Sequence, residues 1–511
     1  MRSREAFMKA PTSSGCDAAV IGGGPAGAVA AMLLAAWGHR VVVFTRAARV
    51  RQTIAESLPP SIQKLLARVG ALEAVDAAGF YRSRGNTVWW ESQDARVESF
   101  PHGALGYQVM RGDLDRLLLD LAHRSGATVR HASVRAVALL DDQTRPARIE
   151  YQANGGLETL EAPWVLDASG RAALVARAME LRVPEPGHRT TALIGEWRRE
   201  RPWDVPDETH TLVESYEDGW AWSVPTSPLA RQVAVMVDPR RGVTALAEDR
   251  RLVTMYQAEL AKTTHLRRLT NDAALWGTPT AHDASLYGTT RACGPGFLLV
   301  GDAGSFIDPL TSLGVKKALA SAWLGAVVVH TALKDPSMAA LGLELFASRE
   351  REMYAAFRRL TALQFGRVAQ RRDHPFWNDR AEVPGLDEMV DPAHEGGQTA
   401  AVVEAFEGLK RSPIIHLAPT VRWRIARRPA VHDREVILDD HLETPDGRSM
   451  RFLRGVNVVT LGAMVQAHTQ VPGLFEAYIR HNPAVPLPDF LVVLATLLAE
   501  GVVEHRPPAS V

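Results

Sequence analysis

Apolar runs alternate with helix-forming stretches along this chain, and their spacing separates several regions. Asp17-Ala-Ala-Val-Ile21 is a short apolar run of strand length. Ala28 to Trp37 follows as a run of helix formers closed by Gly38, and Arg40-Val-Val-Val-Phe44 is a second strand. Uninterrupted apolar runs of this length suit strands buried on both faces, and the order strand–helix–strand predicts a βαβ unit with a parallel sheet. Leu117, Leu118 and Leu121 recur at helical spacing and predict an amphipathic helix over Leu114 to Arg124. Ala162 to Asp167 and Phe297 to Val300 predict further buried strands, and a long helix is expected to begin near Gly314. Its apolar stretch, Ala318 to Leu333, contains Ser321 and His330 and is shorter than the roughly 20 residues that a membrane span requires, so it predicts a buried helix.

From Ala172 to about Pro295, strand-like runs such as Gln232-Val-Ala-Val-Met-Val237 alternate with turns, which predicts a sheet domain. Asp373 to Thr399 is rich in Pro, Gly and charge with little periodicity, and is expected to be a linker or lid. The segment from about Arg434 to Val503 looks independent. It predicts a strand over Glu435 to Leu438, a turn at Pro445-Asp-Gly447, a strand–helix stretch from Phe452 to His468, and two further helices. The last helix, Asp489 to Glu500, runs into an expected wing strand at Gly501-Val-Val-Glu504.

The bulk numbers exclude several classes. A length of 511 residues implies two or three domains. Lys plus Arg and Asp plus Glu are 58 each, so no net field recruits nucleic acid or an anionic membrane. Cys16 and Cys293 are the two cysteines, too few for a disulfide framework, and no Cys/His spacing suggests a metal site. Met1 to Ser14 holds Arg2, Arg4 and Lys9 but no continuous apolar core of a signal peptide. The expectation is a cytoplasmic protein with no metal.

Candidate chemistry begins at the first turn. Gly22-Gly-Gly24-Pro-Ala26-Gly27 stands between the first strand and its helix. Glycines at this spacing permit a tight turn, close approach of a pyrophosphate, and close helix–strand packing, with the anion on the helix N-terminus. The end of the second strand, where an acidic residue would hold a ribose, carries Thr45 and Arg46 instead. A hydroxyl is a weaker ribose partner, and Arg46 suits either an adenine face, a phosphate or solvent. Three further signals follow: Arg111 before the amphipathic helix, Asp167-Ala-Ser-Gly170 after a strand, and Gly301-Asp302 after the Phe297 run.

Gly22–Gly27, Asp167–Gly170 and Gly301-Asp302, in this order and spacing and with Arg111 between the first two, resemble the FAD-dependent aromatic hydroxylase superfamily over roughly residues 15 to 370. The resemblance implies an α/β fold. A Rossmann-like FAD-binding domain (15–171 and 285–370) would receive an inserted β-sheet substrate domain (172–284). A linker or lid (371–433) and a small C-terminal domain of winged-helix type (434–511) would follow. It implies FAD contacts at Gly22, Gly24, Ala26, Gly27, Thr45, Arg46, Arg111, Asp167, Gly301, Asp302, Gly314 and Val315. Within the superfamily, Phe306-Ile-Asp308-Pro309, Ser312-x-Gly314-Val315 and Asp218-Gly-Trp220-Ala-Trp222-Ser-Val-Pro225 are similar to the flavin-dependent halogenases. Ala55-Glu56-Ser57-Leu-Pro59-Pro60 resembles their Gly-Glu-Ser loop, with Ala55 for the glycine. Pro309 and Glu56 are the catalytic positions that the resemblance implies. Trp220 and Trp222, at i and i+2, put both rings on one sheet face, where packing alone also explains them.

The halogenase pattern lacks one element. Its catalytic lysine falls just after a Gly-Phe pair, and here Gly79-Phe80-Tyr-Arg-Ser83-Arg84 places Ser83 there, with no lysine between Lys64 and Lys262. A haloamine needs a free amine lone pair, which a guanidinium does not offer. The expectation is therefore an FAD monooxygenase that hydroxylates an electron-rich aromatic ring through a flavin hydroperoxide. O2 would be co-substrate, with electrons from NAD(P)H or a partner reductase. Lys316 and Lys317, in the first helical turn, read as surface lysines or as partners of a flavin phosphate or substrate charge. His282 and Tyr287 are more simply structural than polarising groups. The C-terminal segment is similar to winged-helix domains that hold leader peptides in peptide-modifying enzymes; a plain helical cap is the simpler alternative. On the former reading the substrate is a tryptophan side chain in a peptide or protein, as in the peptidyl-tryptophan monooxygenases of tryptophylquinone biogenesis. A free aromatic substrate, a halogenase with relocated chemistry, a prenyl reductase, and a binding protein with structural flavin are the competing expectations.

Overall fold

The computed structural model describes residues 15–46, 54–139, 147–153, 155–239, 249–382, 392–417, 424–443 and 449–505. Met1 to Ser14 and the expected turn at Pro445-Asp-Gly447 lie outside them. The chain divides into two units, residues 1–383 and 384–511.

In the first unit the apolar runs pair as a parallel sheet. Its elements are β1 (Ala18–Ile21), α1 (Pro25–Ala36), β2 (Val41–Thr45), α2 (Arg111–Arg124), β3 (Thr128–His131), β4 (Trp164–Asp167), β5 (Cys293–Gly294), β6 (Phe297–Leu299), α3 (Gly314–Lys334) and α4 (Ala339–Ala369). The strand order is β5-β6-β4-β1-β2-β3, parallel except for β5. All four residues of β1 are buried, as its unbroken apolarity requires. α1 is buried from Pro25 through Leu34 and packs against both α2 and α3, which explains a helix of Ala, Gly and Leu with no polar face. The strand order reverses direction between β1 and β4, so a crevice opens beyond their carboxyl ends, where doubly wound sheets bind ligands. This is the Rossmann-like layout expected from the sequence.

A three-stranded antiparallel sheet of Ala55–Leu58, Gly106–Met110 and Tyr81–Ser83 sets Glu56 near the start of α2. The larger, seven-stranded sheet runs in the order Ala274–Asp283, Thr191–Arg198, Ala230–Val237, Gly219–Ser227, Thr211–Tyr216, Gly85–Trp89, Arg96–Ser99. Two of its strands thus come from 85–99, upstream of the 172–284 stretch in which the sheet domain was expected. One face packs on Tyr256, Leu260 and Leu266 from two helices. The other packs on Phe365 and Val368 of α4 and on Phe376 and Trp377.

Those last two residues correct a second expectation. The 371–433 region, read as linker or lid, contains a helix at Pro375–Ala381 whose Phe376 and Trp377 are buried in the sheet core. Trp377 donates its indole N–H to the Glu217 carbonyl at 2.9 Å. The region also holds a helix at Pro392–Arg411 and strands at Ile415–Leu417 and Arg424–His432.

The second unit has its own core, built from Leu442, Val456, Leu461, Leu474, Phe490, Leu494 and neighbours. Strands Arg424–His432, Glu435–Glu443 and Ser449–Met450 form an antiparallel sheet, followed by helices Val458–Val465, Val471–His481 and Leu487–Ala499. Asn457 caps the first of these helices by accepting from Val459 and Thr460 N–H. The last strand, Val503–His505, pairs with Ile415–Leu417. Among the described residues, no helix is long and apolar enough to cross a membrane.

His188 is buried against Phe365, and burial holds its pKa down to about 4 from 6.5, with the Arg380 and Arg358 cations adding to the effect. The folded chain therefore takes up this proton less readily than the unfolded chain. The stability it contributes is full above the unfolded value and is lost as pH falls from 6.5 towards 4. Urea unfolding should show His188→Gln losing less stability than the wild type between pH 7 and pH 4, by up to about 3 kcal/mol. Equal losses in the two proteins would refute the assignment.

Candidate functional site

The first, second and third glycine segments meet at the carboxyl ends of the parallel strands. Gly22 has φ +113°, and a Cβ there would stand 2.2 Å from the Ala168 carbonyl oxygen, so only glycine lets the turn after β1 lie on the loop after β4. A Cβ on Gly27 would meet the Gly22 carbonyl at 1.9 Å, which is the close helix–turn packing that the motif implies. Gly301 has φ +64° and rests on the Ala26 methyl at 3.1 Å from its own Cβ position, so the loop after β6 sits on the first turn of α1. Ala26 is thus a packing partner of the third segment. Gly24 differs: a Cβ there would meet only Asp115 Oδ2 at 3.8 Å and Arg111 Nη2 at 3.9 Å, so its space opens towards the crevice side chains.

Arg111, the first residue of α2, lies half-buried between two carboxylates. Its Nη1 donates to Glu56 Oε1 at 2.6 Å, and its Nε and Nη2 donate to Asp115 at 3.0 and 3.3 Å. Burial works against the guanidinium charge, but Glu56 and Asp115 more than offset it and hold its pKa above the ordinary arginine value. Burial pushes the Asp115 carboxyl up, with Arg111 opposing. Glu56, expected as a catalytic position, accepts from Arg111 beside Gly24. Asp115 went unnoticed in the sequence, although its i+4 spacing from Arg111 was the available signal.

One expected cofactor contact is placed differently. Asp167 is fully buried and turned into its own loop: Oδ1 accepts from Ser169 N–H at 3.0 Å and Oδ2 from Val175 N–H at 2.7 Å. Its carboxylate caps the turn at Leu174–Ala178, so the role of Asp167 is to shape the loop against Gly22 rather than to face a ligand. Thr45 places its hydroxyl against Gly23, whose Cβ position lies 2.7 Å from Thr45 Oγ1, and Arg46 is exposed at the end of β2. Thr45 thus lies beside the glycine turn.

The opposite wall is the loop from Gly301 to Val315. Burial pushes Asp302 above the usual carboxylate range, with Lys317 and Arg111 pulling it down. Asp308 is buried, its pKa pushed up to about 6, and it accepts from Leu310 N–H at 2.9 Å, which fixes the turn Pro309–Thr311. Pro309 and Leu310 are half-buried, and Phe306, Leu310 and Trp222 pack against one apolar cluster with Trp220 and Trp90 at its centre. Arg171 covers the outer face of Phe306, its guanidinium carbon 4.0 Å from the ring centre, and pairs with Asp283 at 2.7 Å. Beyond this wall α3 begins at Gly314-Val315, where a Cβ on Gly314 would meet nothing within 4 Å.

The two lysines differ. Lys316 donates to Ser61 Oγ at 3.0 Å, and Lys317 is fully buried. Tyr287 donates to the Asp302 carbonyl, whereas His282 bonds Thr280 within the seven-stranded sheet; both are structural. The residues fit the cofactor that the fold implies: glycines leave room for a pyrophosphate at the start of α1, Arg111 is held beside it, and the N-terminus of α3 offers free donors to a ring. Among the described residues no cluster of His, Cys, Asp or Glu has the makings of a metal site.

Comparison with known proteins agrees with this geometry. The FAD binding domain family matches residues 15–326. Tryptophan 2-halogenase from Chondromyces crocatus is 31% identical over 383 residues, which covers 72% of this chain and 71% of that protein. The solved flavin-dependent halogenase CmlS superposes with a TM-score of 0.78 at 22% identity, covering 96% of each chain. The peptidyl tryptophan dihydroxylase QhpG, essential for tryptophylquinone cofactor biogenesis, superposes with a TM-score of 0.66 at 23% identity, over 96% of this chain and 99% of its own.

Gly24 and Gly22 separate binding from folding. Gly24→Ala should leave the melting temperature of the FAD-free protein unchanged and weaken FAD binding by roughly 5- to 30-fold, read by quenching of flavin fluorescence. Gly22→Ala should lower the melting temperature itself, because its methyl collides with backbone. Unchanged FAD affinity in the Gly24 variant would place the cofactor elsewhere.

Proposed function

The chain belongs to the FAD binding domain family, in the halogenase-like branch of the FAD-dependent aromatic hydroxylases, and from that premise we propose that this flavoprotein oxidoreductase is a monooxygenase. Its substrate on this reading is an electron-rich aromatic ring, a tryptophan side chain carried by a peptide or protein. O2 is the co-substrate, and electrons come from NAD(P)H or a partner reductase.

One observation carries the choice of oxygen over halide. Ser83, where the halogenases resembled by this chain have their lysine, is completely buried and donates its hydroxyl to the Gly85 carbonyl. Arg82 of this strand pairs with Asp76, and the buried Arg231 lies within electrostatic reach of Tyr81 and Glu208. Its nitrogens are engaged by Ser223 Oγ and by the carbonyls of Glu208 and His210. Burial lowers its pKa to about 9, still above neutral, so it offers no amine lone pair there. Lys64 is exposed, and Lys262 pairs with Asp218 and Glu259.

When bound and reduced, FAD supplies the means of activating O2. The residues of this chain do the rest. Arg111 and the α1 N-terminus would hold the cofactor's anionic portion, and Asp302 would accept from its hydroxyls. N–H groups in the first turn of α3, at Gly314 and Val315, would favour negative charge on its ring. Pro309, Leu310, Phe306 and Trp222 make an apolar wall that excludes water and holds a flat ring. The peptide reading draws on the second unit, in which a three-stranded sheet precedes three helices and a closing strand, and on the named substrate of the solved neighbour QhpG.

A halogenase that uses Lys316 instead is the second reading, favoured by the position of that amine beside Ser61 in the segment after Glu56. Reduced protein should be mixed with O2 and a tryptophan-containing peptide, with and without bromide, and the products weighed. The expected product gains one or two oxygen atoms whether or not bromide is present. A brominated product overturns the monooxygenase reading, and equal turnover of free tryptophan overturns the peptide reading.

A further inference from the structure

A buried lysine is costly unless something uses its charge, and Lys317 has no exposed side-chain surface. Its ammonium donates to the Gly301 carbonyl at 2.9 Å and to the Ser305 carbonyl, and lies 3.8 Å from Asp302 Oδ1. One turn along α3, Ser321 Oγ accepts from the Gly301 N–H at 2.9 Å. Behind both stands the buried Glu350 of α4, which interacts electrostatically with Lys317 and is hydrogen-bonded by Ser321. Both polar atoms of one peptide unit residue are therefore held by two side chains of a single helix, at i and i+4. The residue held is the positive-φ glycine that carries Asp302 into the crevice.

This arrangement exceeds what packing needs. Gly301 already rests on Ala26 and Ala318, and its carbonyl already accepts from the Gly304 and Ser305 N–H groups, so its backbone is satisfied without a buried charge. The charge also acts forward, since Asp302 and Glu350 face Lys317 from two sides, and the ammonium favours the ionised, acceptor form of Asp302.

We infer that Lys317 is a positioning residue for FAD: with Ser321 and Glu350 it clamps the Gly301 peptide and aims the Asp302 carboxylate at the cofactor. The inference rests on the FAD reading of the site. Lys317→Met should weaken FAD binding to the full-length protein by roughly 10- to 100-fold, the worth of a charge-assisted hydrogen bond. It should also lower the melting temperature of the FAD-free protein, because Glu350 is left buried without its cation. The double variant Lys317→Met/Glu350→Gln removes both charges. It should regain most of the lost melting temperature while FAD binding stays weak. A purely structural lysine would recover both together, and that result overturns the inference, as does FAD affinity within twofold of wild type in folded Lys317→Met. Should neither variant fold, Ser321→Ala decides: a several-fold loss of FAD affinity at normal melting temperature supports the clamp, and unchanged affinity overturns it. Failure of the wild-type protein to bind FAD would instead remove the reading beneath it.

Discussion

The site depends on how closely backbone can approach backbone where β1 and β4 end. At Gly22 there is no room for a methyl group against the Ala168 carbonyl, and that contact brings the turn before α1 and the loop after β4 together. Glycine carries a conformational-entropy cost in the unfolded chain, and here the cost secures an approach that no other residue permits. Once the two loops touch, the remaining parts have fixed places. The loop after β6 lies on Ala26, and Arg111 lies beside Gly24.

Charge in this protein is largely turned inward onto backbone. Arg231 and Lys317 are both fully buried, and both use their donors on carbonyl oxygens. Each organises backbone, the first at Glu208 and His210 and the second at Gly301. A chain with no net charge thus still places strong local fields around its site, at positions set by burial. The apolar wall of Trp222, Phe306 and Leu310 completes the contrast by leaving one side with little to offer water.

Much of this was legible in the residues, because glycines at turns and apolar runs report local requirements that no distant contact overrides. The parallel sheet, the glycine cradle and the long buried helix follow directly from such signals. Side-chain direction does not. Asp167 beside a glycine reads equally as a ligand contact or as a cap on its own loop, and only the positions of Ser169 and Val175 N–H decide. Lys317 in a first helical turn reads as solvated until α4 is seen to cover it with Glu350. The strands at 85–99 look like part of the first domain, since pairing across more than a hundred residues leaves no trace in local periodicity.

The helix at Pro375–Ala381 bears on how this chain can be divided. Composition places a boundary near residue 371, yet Phe376 and Trp377 belong to the roof of the seven-stranded sheet. A fragment ending at 371 exposes the Trp90–Trp220 face and loses the indole tie to Glu217, whereas one ending near 383 keeps both. Residues 384–511 form a unit with its own core, whereas Pro375 to Ala381, just before it, complete the core of the first.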